Sequence, residues 1–352
     1  MPYEKDITII QGYFIMVKIG AAFTASQSKA QAVHGGHRMD RNPGMKLDMG
    51  WVNGVHINTG YIQKTAAELG TRRVVKKEHQ AAWQLKALTM IDLTTLNGDD
   101  TDRRIDRLCA KAMRPVRADI LKALGAEELN ITTGAVCVYH NHIAEAVEML
   151  KGTNIPVAAV STNFPDGQGP RETSLAEIKA SVAAGAKEID IVITREYVLS
   201  GQWDKLYEQI RQYREACGNA HLKTILGTGN LGTMENVMKA SLVAMMAGAD
   251  FIKTSTGKEK ENANLAVSLV MMRAIRDYHD RTGYKIGYKP AGGISTAKDA
   301  LVYLTMVKEE LGDAWLTPEL FRFGASSLLG DIEMQLEHFA TGRYSAPNRH
   351  PI

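Results

Sequence analysis

From Ala87 onward the chain alternates short apolar runs with longer amphipathic segments. The apolar runs are rich in valine and isoleucine and do not alternate with polar residues, which is typical of strands buried on both faces. Eight such runs are present, at 88–93, 134–139, 157–161, 188–193, 222–226, 249–253, 285–289 and 320–324. Helical patterns lie between them, including one at 174–185 that begins with Ser174 as a cap and two that begin at Thr233 and Thr296.

Eight strand–helix alternations in one chain predict an α/β protein, a (β/α)8 TIM barrel, with the chain before Ala87 forming extra helices. The stretch from Arg72 to Lys77 looks like a basic patch, but it fits better as the solvated face of a helix that runs toward Leu88. A doubly wound open sheet is the competing architecture, and the number of strands alone does not exclude it.

Composition narrows the class of protein. The 352 residues are 45% hydrophobic and 23% charged, an ordinary globular balance, and the net charge of +3 is too small to argue for a nucleic-acid partner. We expect no membrane span, because no apolar run is long enough. The three cysteines have neither metal-site nor CxxC spacing, which favours a reducing compartment and hence the cytoplasm.

The N-terminal stretch differs from the rest. Residues 7–23 are fairly apolar, but acidic residues precede them and Gln11 and Lys18 interrupt them, which argues against a secretory signal. Residues 26–44 are rich in glycine, histidine and arginine. We therefore expect residues 1–44 to be a flexible or appended segment, with Met45 as a candidate second start.

Two lysines occupy unusual positions. Lys253 ends the apolar run after Phe251 and Ile252, and Lys289 ends the next run. Side chains at the carboxyl ends of barrel strands converge on one site. Asp92 and Asp190 also sit in apolar runs, where an unpaired carboxylate would cost several kcal/mol, so the lysines are their expected partners.

This constellation has two interpretations. The first is a structural ion network that holds the barrel together. The second is amine chemistry: burial and a neighbouring cation lower the pKa of a lysine, so that its neutral amine can form a Schiff base with a carbonyl. A protonated imine is an electron sink that lets an adjacent carbon–carbon bond break or form, with a carboxylate moving the protons. The chemistry alone does not decide which lysine is the nucleophile.

Small residues follow the last three runs. Gly292 and Gly293 come after run seven, a Gly-Ala-Ser-Ser stretch at 324–327 ends run eight, and Gly257 and Lys258 follow run six. In barrels the loops after strands seven and eight are the usual phosphate-binding site, so these residues together predict a phosphate cradle.

Two other motifs suggest different functions. The stretch 227–232 fits the dinucleotide pattern G-x-G-x-x-G, but the next run ends in Lys253 and Thr254 where that motif needs an acid. His140 and His142 resemble the metal pair of barrel hydrolases, yet no later strand end supplies a further histidine. We therefore expect neither a nucleotide nor a metal, and no other cofactor.

With these motifs the chain resembles the deoxyribose-phosphate aldolase family, class I (Schiff-base) aldolase barrels, and in particular its animal-type branch. The stretches that carry the resemblance are Asp-Leu-Thr-Thr-Leu-Asn at 92–97, Asp-Phe-Ile-Lys-Thr-Ser-Thr-Gly-Lys at 250–258, Lys-Pro-Ala-Gly-Gly-Ile at 289–294 and Phe-Gly-Ala-Ser-Ser at 323–327. The resemblance covers residues 44–344, which sets the expected barrel at 45–344 and leaves 345–352 as a C-terminal tail. It implies a lyase that reversibly cleaves 2-deoxy-D-ribose 5-phosphate to D-glyceraldehyde 3-phosphate and acetaldehyde, in deoxyribonucleoside catabolism.

The resemblance also implies roles. Lys253 matches the Schiff-base lysine, Lys289 the lysine that perturbs it, and Asp190 the proton-shuttling aspartate, while Asp92 and Thr94 match residues that orient the substrate. The residues that match the phosphate cradle are Gly257, Lys258, Gly292, Gly293, Ser326 and Ser327.

Three positions depart from the family pattern. Ser295 stands where arginine is common, Asn230 where glutamate is usual, and His140 where proline is usual. These departures bear on substrate affinity more than on reaction type. The alternatives are a barrel that binds a sugar phosphate without catalysis and a metal-dependent barrel hydrolase. The partner expected is a small phosphorylated substrate, and the sequence leaves open whether the chain forms a homo-oligomer.

Overall fold

The computed structural model describes residues 41–72 and 75–350. The strands in this part of the chain are β1 (Ile91–Thr94), β2 (Ala135–Val138), β3 (Val157–Ser161), β4 (Glu188–Val192), β5 (His221–Ile225), β6 (Phe251–Lys253), β7 (Gly287–Lys289) and β8 (Phe323–Ala325). The α-helices are α1 (Met49–Asn53), α2 (Thr59–Thr71), α3 (Lys77–Thr89), α4 (Asp102–Met113), α5 (Ala118–Leu124), α6 (Ile143–Met149), α7 (Arg171–Ala183), α8 (Arg195–Leu199), α9 (Trp203–Ala216), α10 (Met234–Met246), α11 (Leu265–Thr282), α12 (Ala297–Glu310) and α13 (Leu328–Thr341).

The strands form one parallel barrel. Their order is β7-β6-β5-β4-β3-β2-β1-β8, and every neighbouring pair is parallel. Parallel bridges from Tyr288 to Phe321 and from Ala291 to Gly324 close the gap between β7 and β8. The predicted (β/α)8 barrel is therefore confirmed, and the open doubly wound sheet is excluded because the two edge strands meet.

The extra N-terminal helices are also confirmed. Helices α1, α2 and α3 precede β1, and α2 and α3 pack against the outer helices α11, α12 and α13. In α3, Leu85 and Leu88 are fully buried. The predicted first strand at 88–93 therefore began too early, because Leu88 is the buried face of a helix that ends at Thr89.

Helix caps follow the sequence at two of three predicted positions. The hydroxyls of Thr233 and Thr296 accept hydrogen bonds from the backbone N–H groups at the starts of α10 and α12. The prediction that Ser174 caps its helix is wrong, because α7 begins one turn earlier at Arg171. Ser174 is instead buried, where its hydroxyl accepts a hydrogen bond from Asn163 and donates one to the carbonyl of Pro170.

Both ends of the described chain are fixed to the barrel. Asn42 donates through its backbone N–H to Asp250 over 3.0 Å and through its side chain to the carbonyls of Met245 and Ala249. At the other end, His350 lies 2.8 Å from Glu337 on α13. Residues 1–40 of the predicted appended segment lie outside the described residues, and the boundaries at 44 and 345 stay predictions.

Candidate active site

The parallel register places four predicted side chains together near the carboxyl ends of their strands. Lys253 and Lys289 are paired across β6 and β7, while Asp190 comes from β4 and Asp92 from β1. One oxygen of Asp190, Oδ2, accepts hydrogen bonds from the Nζ atoms of Lys253 and Lys289, each over 2.8 Å. Lys289 also donates to Asp92.

A second layer of charged residues lies beneath this group. Lys223 on β5 donates to Asp190 Oδ1 over 3.2 Å and to Glu188. Arg322, next to β8, donates to Asp92 and, over 2.9 Å, to Glu188 Oε1. Every charged group of this layer has a partner of opposite sign, so the cost of burying charge is offset by pairing.

Burial and ion pairing shift the pKa values of the carboxylates in opposite directions. Burial alone would raise the pKa of Asp190, but the cations of Lys223, Lys253 and Lys289 outweigh it and hold that pKa well below its ordinary value. The pKa of Asp92 is lowered in the same way, because Lys289 and Arg322 outweigh the effect of burial. Both groups are therefore carboxylate anions at neutral pH.

The pKa values of the two strand-end lysines are shifted in opposite directions. Burial is the largest influence on Lys253 and, together with the cation of Lys289, it lowers the pKa of Lys253 against the opposing effect of Asp190. Burial would also lower the pKa of Lys289, but Asp190 and Asp92 outweigh it and raise that pKa. Lys289 is thus held as a cation, while Lys253 loses its proton more readily than an ordinary lysine.

A cavity of about 580 Å³ opens above this cluster. Lys253 and Thr94 line the cavity. Lys289, Asp190 and Asp92 are fully buried below it and are not among its lining residues. The structure therefore brings all five predicted catalytic and orienting residues to one place, but it brings only Lys253 and Thr94 to the cavity wall.

All six residues of the predicted phosphate cradle line the same cavity, on the loops that follow β6, β7 and β8: Gly257, Lys258, Gly292, Gly293, Ser326 and Ser327. Close packing explains one glycine, because a Cβ on Gly292 would meet the side chain of Asn262 at 2.7–2.8 Å. Gly292 also has a φ of +77°, which other residues rarely adopt.

Sequence reasoning missed five charged residues here. Lys223, Glu188 and Arg322 sit in or beside predicted apolar runs, the same signal that identified Lys253. Arg104 and Arg107 on α4 line the cavity. They gave no signal, because arginines on an amphipathic helix usually form its solvated face.

The glycine-rich stretch 227–232 serves loop packing. Gly227 faces Arg195, whose Nε would lie 2.2 Å from a Cβ added there, and Gly229 faces the carbonyl of Glu261. Protein atoms occupy the space where a side chain would lie at Gly227 and Gly229, so loop packing accounts for these two glycines.

The two histidines of the His-x-His motif diverge. His140 Nδ1 lies 2.9 Å from the Ser181 hydroxyl, whereas His142 Nδ1 lies 3.5 Å from Asp102 on α4. Across residues 41–72 and 75–350, no three histidine, cysteine, aspartate or glutamate side chains are grouped so that they could hold a metal ion.

No helix within residues 41–72 and 75–350 is long and apolar enough to cross a membrane.

The structure is thus a (β/α)8 barrel with a buried cluster of lysines and carboxylates near the carboxyl ends of its strands. A solved barrel, described as a tetrameric deoxyribose phosphate aldolase from Aeropyrum pernix, superposes with a TM-score of 0.54 at 20% identity, covering 80% of this chain and 99% of that one. At that identity the likeness shows the fold.

Sequence comparison identifies the family. The model of the DeoC/LacD family aldolase matches residues 86–332. Deoxyribose-phosphate aldolases of Homo sapiens and Mus musculus are each 58% identical, covering 88% of this chain and 98% of the relative. The chain belongs to the DeoC/LacD aldolase family.

Proposed function

We propose that this protein reversibly cleaves 2-deoxy-D-ribose 5-phosphate to D-glyceraldehyde 3-phosphate and acetaldehyde, with Lys253 as the Schiff-base nucleophile. One observation carries the assignment of the nucleophile. Of the three lysines in the buried cluster of the described chain, Lys253 alone lines the cavity, and its pKa is lowered. Lys289 and Lys223 are enclosed, and their pKa values are raised.

The reaction follows from that amine. Neutral Lys253 attacks the C1 aldehyde of the open-chain sugar, and loss of water gives a protonated imine. Removal of the C3 hydroxyl proton forms a carbonyl at C3 while the C2–C3 electron pair moves into the imine as an enamine. D-glyceraldehyde 3-phosphate leaves, the enamine takes a proton at C2, and water releases acetaldehyde from Lys253.

We assign proton movement to Asp190, which accepts a hydrogen bond from Lys253, and to Lys289, which donates to the same oxygen. Asp190 accepts from both Lys253 and Lys289 through one oxygen, so a proton can pass among the three along existing hydrogen bonds. Lys289 is the cation that favours neutral Lys253. Asp92 holds Lys289 in place, while Thr94 at the cavity wall is the group that contacts and orients the substrate.

We assign the phosphate end of the substrate to the loops after β6, β7 and β8 that line the cavity. Backbone N–H groups of glycine loops and serine hydroxyls donate to phosphate oxygens, and Lys258 adds a positive charge. The residues proposed for this contact are Gly257, Lys258, Gly292, Gly293, Ser326 and Ser327.

Compartment and assembly are part of the proposal. Cys109, Cys137 and Cys217 are buried and unpaired, which supports a reducing compartment such as the cytoplasm. The reaction needs no cofactor, since the imine itself is the electron sink. We also propose a homo-oligomer, on the precedent of the Aeropyrum pernix aldolase described as tetrameric.

The function is tested by measuring release of D-glyceraldehyde 3-phosphate and acetaldehyde from 2-deoxy-D-ribose 5-phosphate. Wild type is expected to release both in equal amounts, and Lys253→Arg to release neither, because arginine keeps the charge but has no neutral amine. Tight binding of the sugar phosphate without cleavage would support the non-catalytic barrel instead. Turnover abolished by chelators would support metal-assisted chemistry.

A further inference from the structure

The charged side chains that line the cavity are all basic. Four basic side chains line the cavity: Arg104, Arg107, Lys253 and Lys258. Among the described residues that line it, there is no aspartate or glutamate. A cleft lined by one sign of charge attracts ligands of the opposite sign. Lys253 and Lys258 already have proposed roles, whereas the two arginines do not.

The arginines belong to one face of α4. Arg104 and Arg107 are three residues apart and Leu108 is four from Arg104, a spacing that puts all three on the same side of a helix, and all three line the cavity. Arg103, the residue before Arg104, is exposed and is not among the lining residues. The face of α4 turned to the cavity is therefore the one that carries this pair.

Arg104 is held in position by the loop that joins β1 to α4. Its Nη1 donates to Asp100 Oδ1 over 3.1 Å. The Asp100 side chain is itself enclosed, accepting from the Thr95 hydroxyl over 2.8 Å and from the Asn97 backbone over 3.0 Å. The Arg104 side chain remains 43% exposed at the cavity rim, and a guanidinium has five N–H donors, more than its contacts to Asp99 and Asp100 use.

The loop after β7 contributes no cation to the cavity. Ser295 lines the cavity there, at the position where the family resemblance predicts arginine. We propose that Arg104 and Arg107 are specificity-determining residues that attract and hold the phosphate-bearing end of the substrate, and that they supply from α4 the positive charge which the β7 loop lacks at Ser295. This inference rests on the proposed function, because it takes the substrate to be a sugar phosphate.

The test compares 2-deoxy-D-ribose 5-phosphate with 2-deoxy-D-ribose, which lacks the phosphate. For Arg104→Met and Arg107→Met we expect kcat/KM to fall roughly three- to tenfold for the phosphorylated substrate, as for loss of a charge at the rim of a binding site, and to stay unchanged for the other. Arg103→Met, a matched change one position away, should leave both values unchanged. The effect should shrink at high salt, since exposed charges are screened.

A purely structural role for Arg104 predicts something else. Losing its contact to Asp100 would disturb the loop after β1 and lower kcat/KM for both substrates alike. Two further variants separate the structural role from the electrostatic role. Arg104→Lys keeps the charge and should retain most of the preference for the phosphorylated substrate. Ser295→Arg added to Arg104→Met should restore part of it.

Four results would overturn the inference: no loss in the α4 variants, equal losses with both substrates, the same loss in Arg103→Met, or no recovery on adding Ser295→Arg. Failure of the proposed function looks different, since wild type would then cleave neither substrate. If wild type cleaves the phosphorylated sugar preferentially and the α4 variants match it, the inference alone fails.

Discussion

Lys253 and Lys289 donate hydrogen bonds to the same oxygen of Asp190, each over 2.8 Å. Their pKa values nevertheless shift in opposite directions, because Lys289 has a second carboxylate, Asp92, and Lys253 does not. The pKa of Lys289 is raised and that of Lys253 is lowered. One carboxylate oxygen thus joins a fixed cation to an amine that can lose its proton.

Replacing Lys289 with methionine removes the cation next to Lys253. Since that cation helps to lower the pKa of Lys253, the amine becomes more often protonated, and we expect kcat to fall by about a hundredfold or more. The rising limb of the kcat/KM profile should also move to higher pH. Lys285→Met, at an exposed lysine four residues earlier, is the control. Turnover near wild type in Lys289→Met would contradict the account.

Asp190→Asn should separate imine formation from proton transfer. Asp190 opposes the lowering of the Lys253 pKa, so without its charge the amine still becomes neutral and still forms an imine. The proton route is lost, and we expect turnover to drop by about a hundredfold or more. Single-turnover imine trapping and steady-state assays on the same preparation measure the two steps. Loss of both steps in a variant that remains folded would assign Asp190 to imine formation instead.

Arg322→Met tests the layer below the site. Arg322 pairs with Asp92 and Glu188, and both carboxylates are buried, so removing it leaves two charges short of a partner. Breaking such a pair costs about 3 kcal/mol in the free energy of unfolding. Urea unfolding measures the change, with the exposed Arg211→Met as control. A loss below about 1 kcal/mol would mean that the layer contributes little to stability.

The buried carboxylates also fix how stability depends on pH. In the folded chain the pKa values of Asp92, Asp190 and Glu188 lie below their ordinary values of 3.8, 3.8 and 4.5. The unfolded chain therefore binds more protons than the folded chain below about pH 4.5. The stability from these groups is fully present above that pH and is lost as pH falls through the folded pKa values. Urea unfolding at pH 7, 5 and 3 should show little change between the first two from these groups and a loss at the third, a loss that is smaller in Asp190→Asn.

The barrel was predictable because strands buried on both faces form unbroken apolar runs, and β3 spans the predicted residues 157–161. Strand starts were less accurate. The run at 249–253 includes Ala249 and Asp250, but β6 begins at Phe251, because the Asp250 carboxylate accepts from the backbone of Asn42 and Leu222. Such long-range contacts leave no local pattern.

The buried residues of the site were predictable because they are charged side chains within apolar runs. The same rule also identifies Lys223 and Arg322. That rule does not identify the residues of α4 that line the cavity. Whether Arg104 and Arg107 face solvent or a cavity depends on which loops surround that face of α4 in the folded barrel, and the helix sequence is the same in both cases.

The proposed mechanism depends on imine formation by Lys253. The most direct measurement is to incubate the protein with acetaldehyde and borohydride, digest it, and map the reduced two-carbon adduct by mass spectrometry. We expect the adduct on Lys253 and its disappearance in Lys253→Arg. An adduct on Lys289, or none on a folded and active protein, would contradict the proposed mechanism.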